Sequence, residues 1–251
     1  MIIMSKIAFV TGASAGIGEA IARKLADVGY NLILAARRRE RLEKLSAELT
    51  VKTHLISLDV RDRKAVEAAV TNLPGDWKAI DLLVNNAGLS RGLDTLQEGN
   101  PDGWDEMIDT NVKGLLYVTR AVVPGMVERG KGHVINIGSI AGHEVYPRGN
   151  VYCATKHAVD AITKGMRIDL VDSPVRVSTV DPGLVETEFS EVRFYGDSDR
   201  AKTVYQGYQP LRGEDIAEAV AWIAAQPQHV TIAQMTVLPT AQASATMVHK
   251  D

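Results

Sequence analysis

Short apolar runs alternate with longer amphipathic ones along the whole chain. Ile7-Ala8-Phe9-Val10 predicts a buried strand, followed by a helix from Gly16 to Val28. Asn31 to Ala35, His54 to Leu58 and Ile80 to Val84 predict three more strands. Between them lie helical patterns over Arg39 to Leu49 and Arg63 to Leu73, the second stopped by Pro74-Gly75. Trp104 to Arg129 predicts one long helix that contains Pro124. Strands at His133 to Ile137, Val175 to Val180 and Met235 to Leu238 alternate with helices at Val151 to Val171 and Glu214 to Ala225. Near-continuous apolar strands separated by helices predict an α/β fold: a doubly wound parallel sheet covered on both faces. No repeat, low-complexity tract or domain boundary interrupts it, so residues 1–251 read as one domain. The weakest pattern runs from Glu186 to Gly213, rich in Tyr, Gly and charge. It reads as a substrate lid or as a long surface loop.

Composition narrows the classes. A net charge of -3 with no long basic run argues against nucleic acid as the main partner. No apolar run is long enough to span a membrane, and Met1 to Ser5 is too short for a signal peptide. The single cysteine, Cys153, rules out an intrachain disulfide and fits a reducing cytoplasm; it reads as a small buried residue. The six histidines lack metal-ligand spacing, so no metal is expected. Trp77, Trp104 and Trp222 read as core or interface residues. The tail from Pro239 to Asp251 is apolar enough to pack on a neighbouring subunit.

The small and polar residues have a pattern of their own. Thr11-Gly12-Ala13-Ser14-Ala15-Gly16-Ile17-Gly18 follows the first strand and Arg37-Arg38 the second. Asp59-Val60 follows the third, Asn85-Asn86-Ala87-Gly88 the fourth, Gly138-Ser139 the fifth and Asp181-Pro182-Gly183 the sixth. All six clusters therefore fall on the carboxyl edge of the sheet, where open α/β sheets bind ligands. Any one glycine is explained by a turn; the full set is not. In the first cluster Gly12 permits the tight turn, Gly16 lets phosphate approach, and Gly18 lets the helix pack. The helix start offers free N–H groups to a pyrophosphate.

An NAD site needs a carboxylate about 20 residues past the glycines for the ribose 2′-hydroxyl. That zone reads Ala35-Ala36-Arg37-Arg38-Arg39, with no acid before Glu40. Guanidinium forks pair with a 2′-phosphate, which favours NADP(H). In a helix, Tyr152 and Lys156 stand about 40° apart on one face. The ammonium then favours the phenolate and eases proton exchange. An exposed Tyr–Lys pair would show the same spacing.

Together TGASAGIG at 11–18, NNAG at 85–88, Asn111, Ser139, Tyr152-x-x-x-Lys156 and Pro182-Gly183 resemble the short-chain dehydrogenase/reductase family over essentially the whole chain. The resemblance implies a single Rossmann domain with a seven-stranded sheet, assembled as a homotetramer. It implies that Tyr152 is the acid/base, Ser139 holds the substrate oxygen, Lys156 also bonds the nicotinamide ribose, and Asn111 anchors a relay water. Asp59 and Val60 would contact the adenine, Asn86 and Gly88 the ribose, and Thr187 the carboxamide or diphosphate. Ser14, Ile17, Pro182, Gly183 and Val185 complete the implied cofactor contacts. Within the family, Ala36 to Leu42, Ile108 to Asn111 and Pro182 to Asp197 resemble NADP-dependent 3-hydroxy acid dehydrogenases, described also as serine or L-allo-threonine dehydrogenases. A hydroxy acid substrate needs a cation for its carboxylate, and Arg148 and Arg193 are the candidates. A broader carbonyl or 3-oxoacyl reductase is the alternative enzyme. A non-catalytic NADP-binding sensor is the alternative from another class; it would have lost Ser139, Tyr152 or Lys156.

Overall fold

β-Branched and leucine-rich runs form seven parallel strands, and amphipathic segments form the helices that cover them. The computed structural model describes residues 6–251; the signal-peptide reading of Met1 to Ser5 lies outside the described residues. The chain runs β1 (Ile7–Thr11), α1 (Gly16–Asp27), β2 (Asn31–Ala36), α2 (Arg39–Glu48), β3 (Thr53–Ser57), α3 (Arg63–Thr71) and β4 (Ile80–Asn85). It continues through α4 (Pro101–Ile108), α5 (Leu115–Glu128), β5 (Gly132–Ile137), α6 (Asn150–Asp169) and β6 (Val175–Pro182). Then come α7 (Phe189–Arg193), α8 (Ser198–Thr203), α9 (Gly213–Ala224) and β7 (Gln234–Val237).

The strand order is β3-β2-β1-β4-β5-β6-β7, every pairing parallel. Strand order reverses between β1 and β4, so a crevice opens above their carboxyl ends. The strands divide their side chains by twos. Ala8 and Val10 join the core under α1 and α9, while Ile7 and Phe9 join the core under α3 and α5. This is the seven-stranded Rossmann-type architecture.

Three sequence expectations change. The long helix begins at Pro101, capped by the Asn100 side chain, and is broken by a π-helical turn at Asp109–Gly114. Pro124 is accommodated inside α5. The 186–213 stretch is not a bare loop: it carries α7 and α8. Trp222 is 52% exposed and so is not a core residue, whereas Trp77 and Trp104 pack partly buried against the cores. Cys153 is fully buried. The tail packs on its own chain: buried Gln242 accepts a bond from the Leu184 N–H at 2.9 Å, and Asp251 N–H bonds Gly207 O. No helix among the described residues is long and apolar enough to cross a membrane. No metal-ligand cluster occurs among them either.

Candidate active site

A cleft of about 470 Å³ opens over the carboxyl edge of the sheet. Of the residues singled out from the sequence, every one lines it except Asn111 and Arg148.

The first turn forms the floor at one end. Gly12 has φ +67°, open to glycine at little cost, and a side chain at Gly18 would overlap the Gly12 carbonyl. Asn86 does more than face the ribose position: its amide donates to Thr11 O at 2.9 Å and Gly12 O at 3.3 Å, locking the turn onto β4. Thr187 closes over Gly16, and its hydroxyl accepts from Phe189 N–H. The residue before α1, Ala15, offers no side-chain cap, so the N–H groups at the helix start remain available to an anion. At the end of β2, Arg38 donates through Nε and Nη2 to Ser14 Oγ, both at 3.3 Å. Its Nη1 reaches Glu188 at 3.0 Å, and Arg41 pairs with the same carboxylate. Arg37 stands exposed beside it. Asp59 is held by Arg61 at 2.6 Å, and that guanidinium keeps its carboxyl below the usual range. Two guanidiniums and uncapped helix N–H groups therefore fit a dinucleotide carrying a 2′-phosphate.

The other end holds the acid–base groups. Burial places Tyr152 and Lys156 side by side on α6, with the ammonium 5.9 Å from the phenol ring centre. The Lys156 amine donates to Ile137 O at 2.9 Å. Ser139 caps the short turn after β5, accepting from Ala141 N–H at 3.1 Å and donating to Pro182 O at 3.4 Å. Asn111 sits in the π turn, 2% exposed, directly beneath Gly88. Its Oδ1 accepts from Leu89 N–H at 2.9 Å; its Nδ2 donates to Leu89 O at 2.8 Å and Thr155 Oγ1 at 3.0 Å. It is not a solvent-facing helix residue.

The electrostatics differ from the simple expectation. Burial raises the Tyr152 phenol well above its ordinary value, and the neighbouring Tyr146 adds to the effect. Arg193 and Ser139 oppose it. Lys156, itself stripped of water, falls to about 8, with Asp181 holding it up. Arg193, at the end of α7, is the cation that offsets this rise in the phenol.

The short chain dehydrogenase family model matches residues 6–196. The chain belongs to the short-chain dehydrogenase family. This dehydrogenase is 48% identical over 246 residues to the NADP-dependent 3-hydroxy acid dehydrogenase YdfG of Escherichia coli K12, covering 97% of this chain and 99% of that one. It is 44% identical over 252 residues to sulfoacetaldehyde reductase 2 of Chromohalobacter salexigens, covering 99% and 100%. The closed form of serine dehydrogenase complexed with NADP+ superposes with a TM-score of 0.94 at 47% identity, covering 98% of this chain and all of that one. The chain is therefore an enzyme acting on a CH–OH group.

The two candidate arginines of this dehydrogenase part company. Arg193 lines the cleft, its guanidinium carbon 5.4 Å from the Tyr152 ring centre and 5.1 Å from that of Phe189. It donates to Tyr146 Oη at 3.1 Å, and its buried Nε has no partner. Arg148, with φ +64°, is exposed and borders a separate cavity of about 20 Å³. Arg148 does not line the main cleft, so of the two arginines only Arg193 does. Sequence reasoning missed Tyr146, Phe189, Glu188 and Gln242, all in the cleft wall. For Glu188 a signal existed: the Arg37 to Arg41 run had more cations than acids to pair them.

Proposed function

We propose that this dehydrogenase uses NADP(H) to interconvert a short 3-hydroxy acid and its carbonyl form. Serine, L-allo-threonine, 3-hydroxypropionate and 3-hydroxyisobutyrate are the substrate types. The carrying observation is Arg193: a half-buried cation whose buried Nε is free, next to Tyr152, at the substrate end of the cleft. A carboxylate would satisfy that donor through a charge-assisted bond and set the hydroxyl carbon near Tyr152.

The roles follow from position. Tyr152 takes the alcohol proton in oxidation and returns it in reduction. Ser139, which lines the cleft with Tyr152, holds the same oxygen. Lys156 supports the phenolate and holds the ribose, and Asn111 orders Leu89, Thr155 and a relay water behind them. NADP(H), when bound, supplies or accepts the hydride. Gly12, Ser14, Gly16, Ile17 and Gly18 hold its diphosphate end. Arg37 and Arg38 hold the 2′-phosphate, Asp59 and Val60 the adenine, and Asn86 and Gly88 the ribose. Pro182, Gly183, Val185 and Thr187 hold the nicotinamide side. Residues 186–213 act as the lid over the single domain. The chain assembles as a homotetramer in the cytoplasm on this reading, with the exposed Ile108, Leu116, Ile168, Val171 and Trp222 as apolar surface open to a neighbouring copy.

The test is Arg193→Ala, assayed with hydroxy acids and with neutral ketones. KM for the acids is expected to rise about 10- to 100-fold, as for loss of a charged hydrogen bond, with neutral ketones little changed. An equal effect on both removes the carboxylate role and favours the broader carbonyl or 3-oxoacyl reductase.

A further inference from the structure

Lys156 is a buried ammonium whose one hydrogen bond goes to a neutral carbonyl, Ile137 O. A buried charge of this kind needs an opposite charge close by, or it gives up its proton. No carboxylate forms a direct ion pair with it among the described residues. One buried acid lies within reach. Asp181, at the end of β6, is 1% exposed. Its carboxylate rests against the backbone of Gly138, the residue after Ile137, so closely that any side chain at 138 would overlap it. Gly138 N–H bonds Val180 O, fixing β5 and β6 in that register. The Lys156 ammonium and the Asp181 carboxylate therefore contact adjacent residues, Ile137 and Gly138, at the end of β5.

The geometry points to Asp181 as the positioning residue that keeps Lys156 protonated. Thr179 Oγ1 donates to Oδ1 at 2.7 Å, and His143 Nε2 lies 2.9 Å from Oδ2. His143 meets Asp181 from the turn after β5, and Lys156 approaches from α6 through its bond to Ile137 O. Behind His143 stand Asp160, 4.0 Å from its Nδ1, and Lys164, paired to Asp160 at 2.7 Å. From β7 come only the neutral Gln234 and Thr236. The electrostatic balance agrees: burial lowers Lys156, and Asp181 is the group that raises it. Without Asp181, Lys156 would lose its proton at lower pH and cease to support the phenolate.

The inference rests on Tyr152 and Lys156 moving the proton, and is independent of substrate choice. It is tested with Asp181→Asn, nearly the same shape without the charge. The basic limb of the kcat/KM profile for NADPH-dependent reduction of a neutral ketoester should move down by about one pH unit. Fluorescence-monitored NADPH binding at pH 6 should be unchanged. A second measurement needs no turnover: ¹³C-lysine NMR, with the Lys156 signal assigned through Lys156→Arg. That signal should titrate at lower pH in the Asp181→Asn protein. Should the asparagine protein fail to fold, the smaller Asp181→Ser carries the same two measurements. A profile superimposable on the parent, lowered uniformly or not at all, together with an unmoved Lys156 titration, would overturn the assignment. An enzyme that turns over no hydroxy acid, yet shows the shifted lysine, would sink the substrate reading and leave this one standing.

Discussion

Asn111 offers a perturbation whose two consequences can be measured separately. Truncation to alanine removes three hydrogen bonds in a site that is 2% exposed. Leu89 loses partners for both its N–H and its C=O, and Thr155 Oγ1 loses the donor that reaches it from the π turn. Thr155 still donates to Tyr152 O at 2.8 Å, so that bond survives. A buried polar group left without a partner costs about 1–3 kcal/mol. Water entering the vacated space offsets part of this for the three groups, leaving a net loss of about 2–4 kcal/mol. For a chain of this size 1 kcal/mol moves Tm by about 2–4 °C, so a fall of roughly 4–16 °C is expected.

Turnover should fall as well, because Leu89 lies in the cleft wall and Thr155 ties the π turn to the helix carrying Tyr152 and Lys156. Scanning calorimetry reads the first effect and steady-state kinetics the second. Asn111→Asp separates them further. The carboxylate still accepts from Leu89 N–H but cannot donate to Leu89 O or Thr155. It should therefore be destabilised, by less than alanine if only bond count matters. An alanine variant with unchanged Tm and lost turnover would refute the structural role and leave only a water anchor.

Three further outcomes are expected. Tyr152→Phe should lose about 10²–10⁴ in rate, while NADPH fluorescence titration gives parental affinity; parental turnover would refute the acid/base role of Tyr152. Arg38→Gln should raise the KM for NADP about 10- to 100-fold, as for a lost charged hydrogen bond, and leave that for NAD nearly unchanged; equal changes would deny the 2′-phosphate contact. His133 is buried between β5 and β6, bonded to Ser178 at 2.8 Å, and burial lowers it to about 3. Its folded value lies below its unfolded one, about 6.5, so the unfolded chain takes up the proton first and stability falls as pH drops below about 6.5. That amounts to about 2 kcal/mol by pH 5. Denaturant melts of His133→Gln should lack this component, and identical pH dependence in both proteins would exclude it.

The sheet was legible because each buried parallel strand must be apolar on both faces, leaving an uninterrupted run in the sequence. The carboxyl-edge residues were legible for a related reason: tight turns and phosphate approach admit few residue types, as at Gly12 and Gly18. The π turn was not legible. Its residues continue the helical pattern, and what opens it is the pairing of Asn111 with Leu89, 22 residues away. Gln242 gave no local signal either, since its place in the cleft depends on the path of the whole tail.

The two arginines show the limit best. Arg148 and Arg193 have equivalent chemistry, and nothing next to either one in the sequence chooses between them. The backbone chooses. Arg148 occupies a left-handed turn that faces its side chain toward a minor cavity. Arg193 ends α7, four residues after Phe189, so both side chains share one helix face. Phe189 meets Tyr152 edge-on at 5.6 Å, and the same face brings the guanidinium to 5.4 Å from that ring. Five residues are too few for periodicity to announce a helix. The placement of the cation thus depends on a turn of helix that forms only because Phe189 has Tyr152 to pack against.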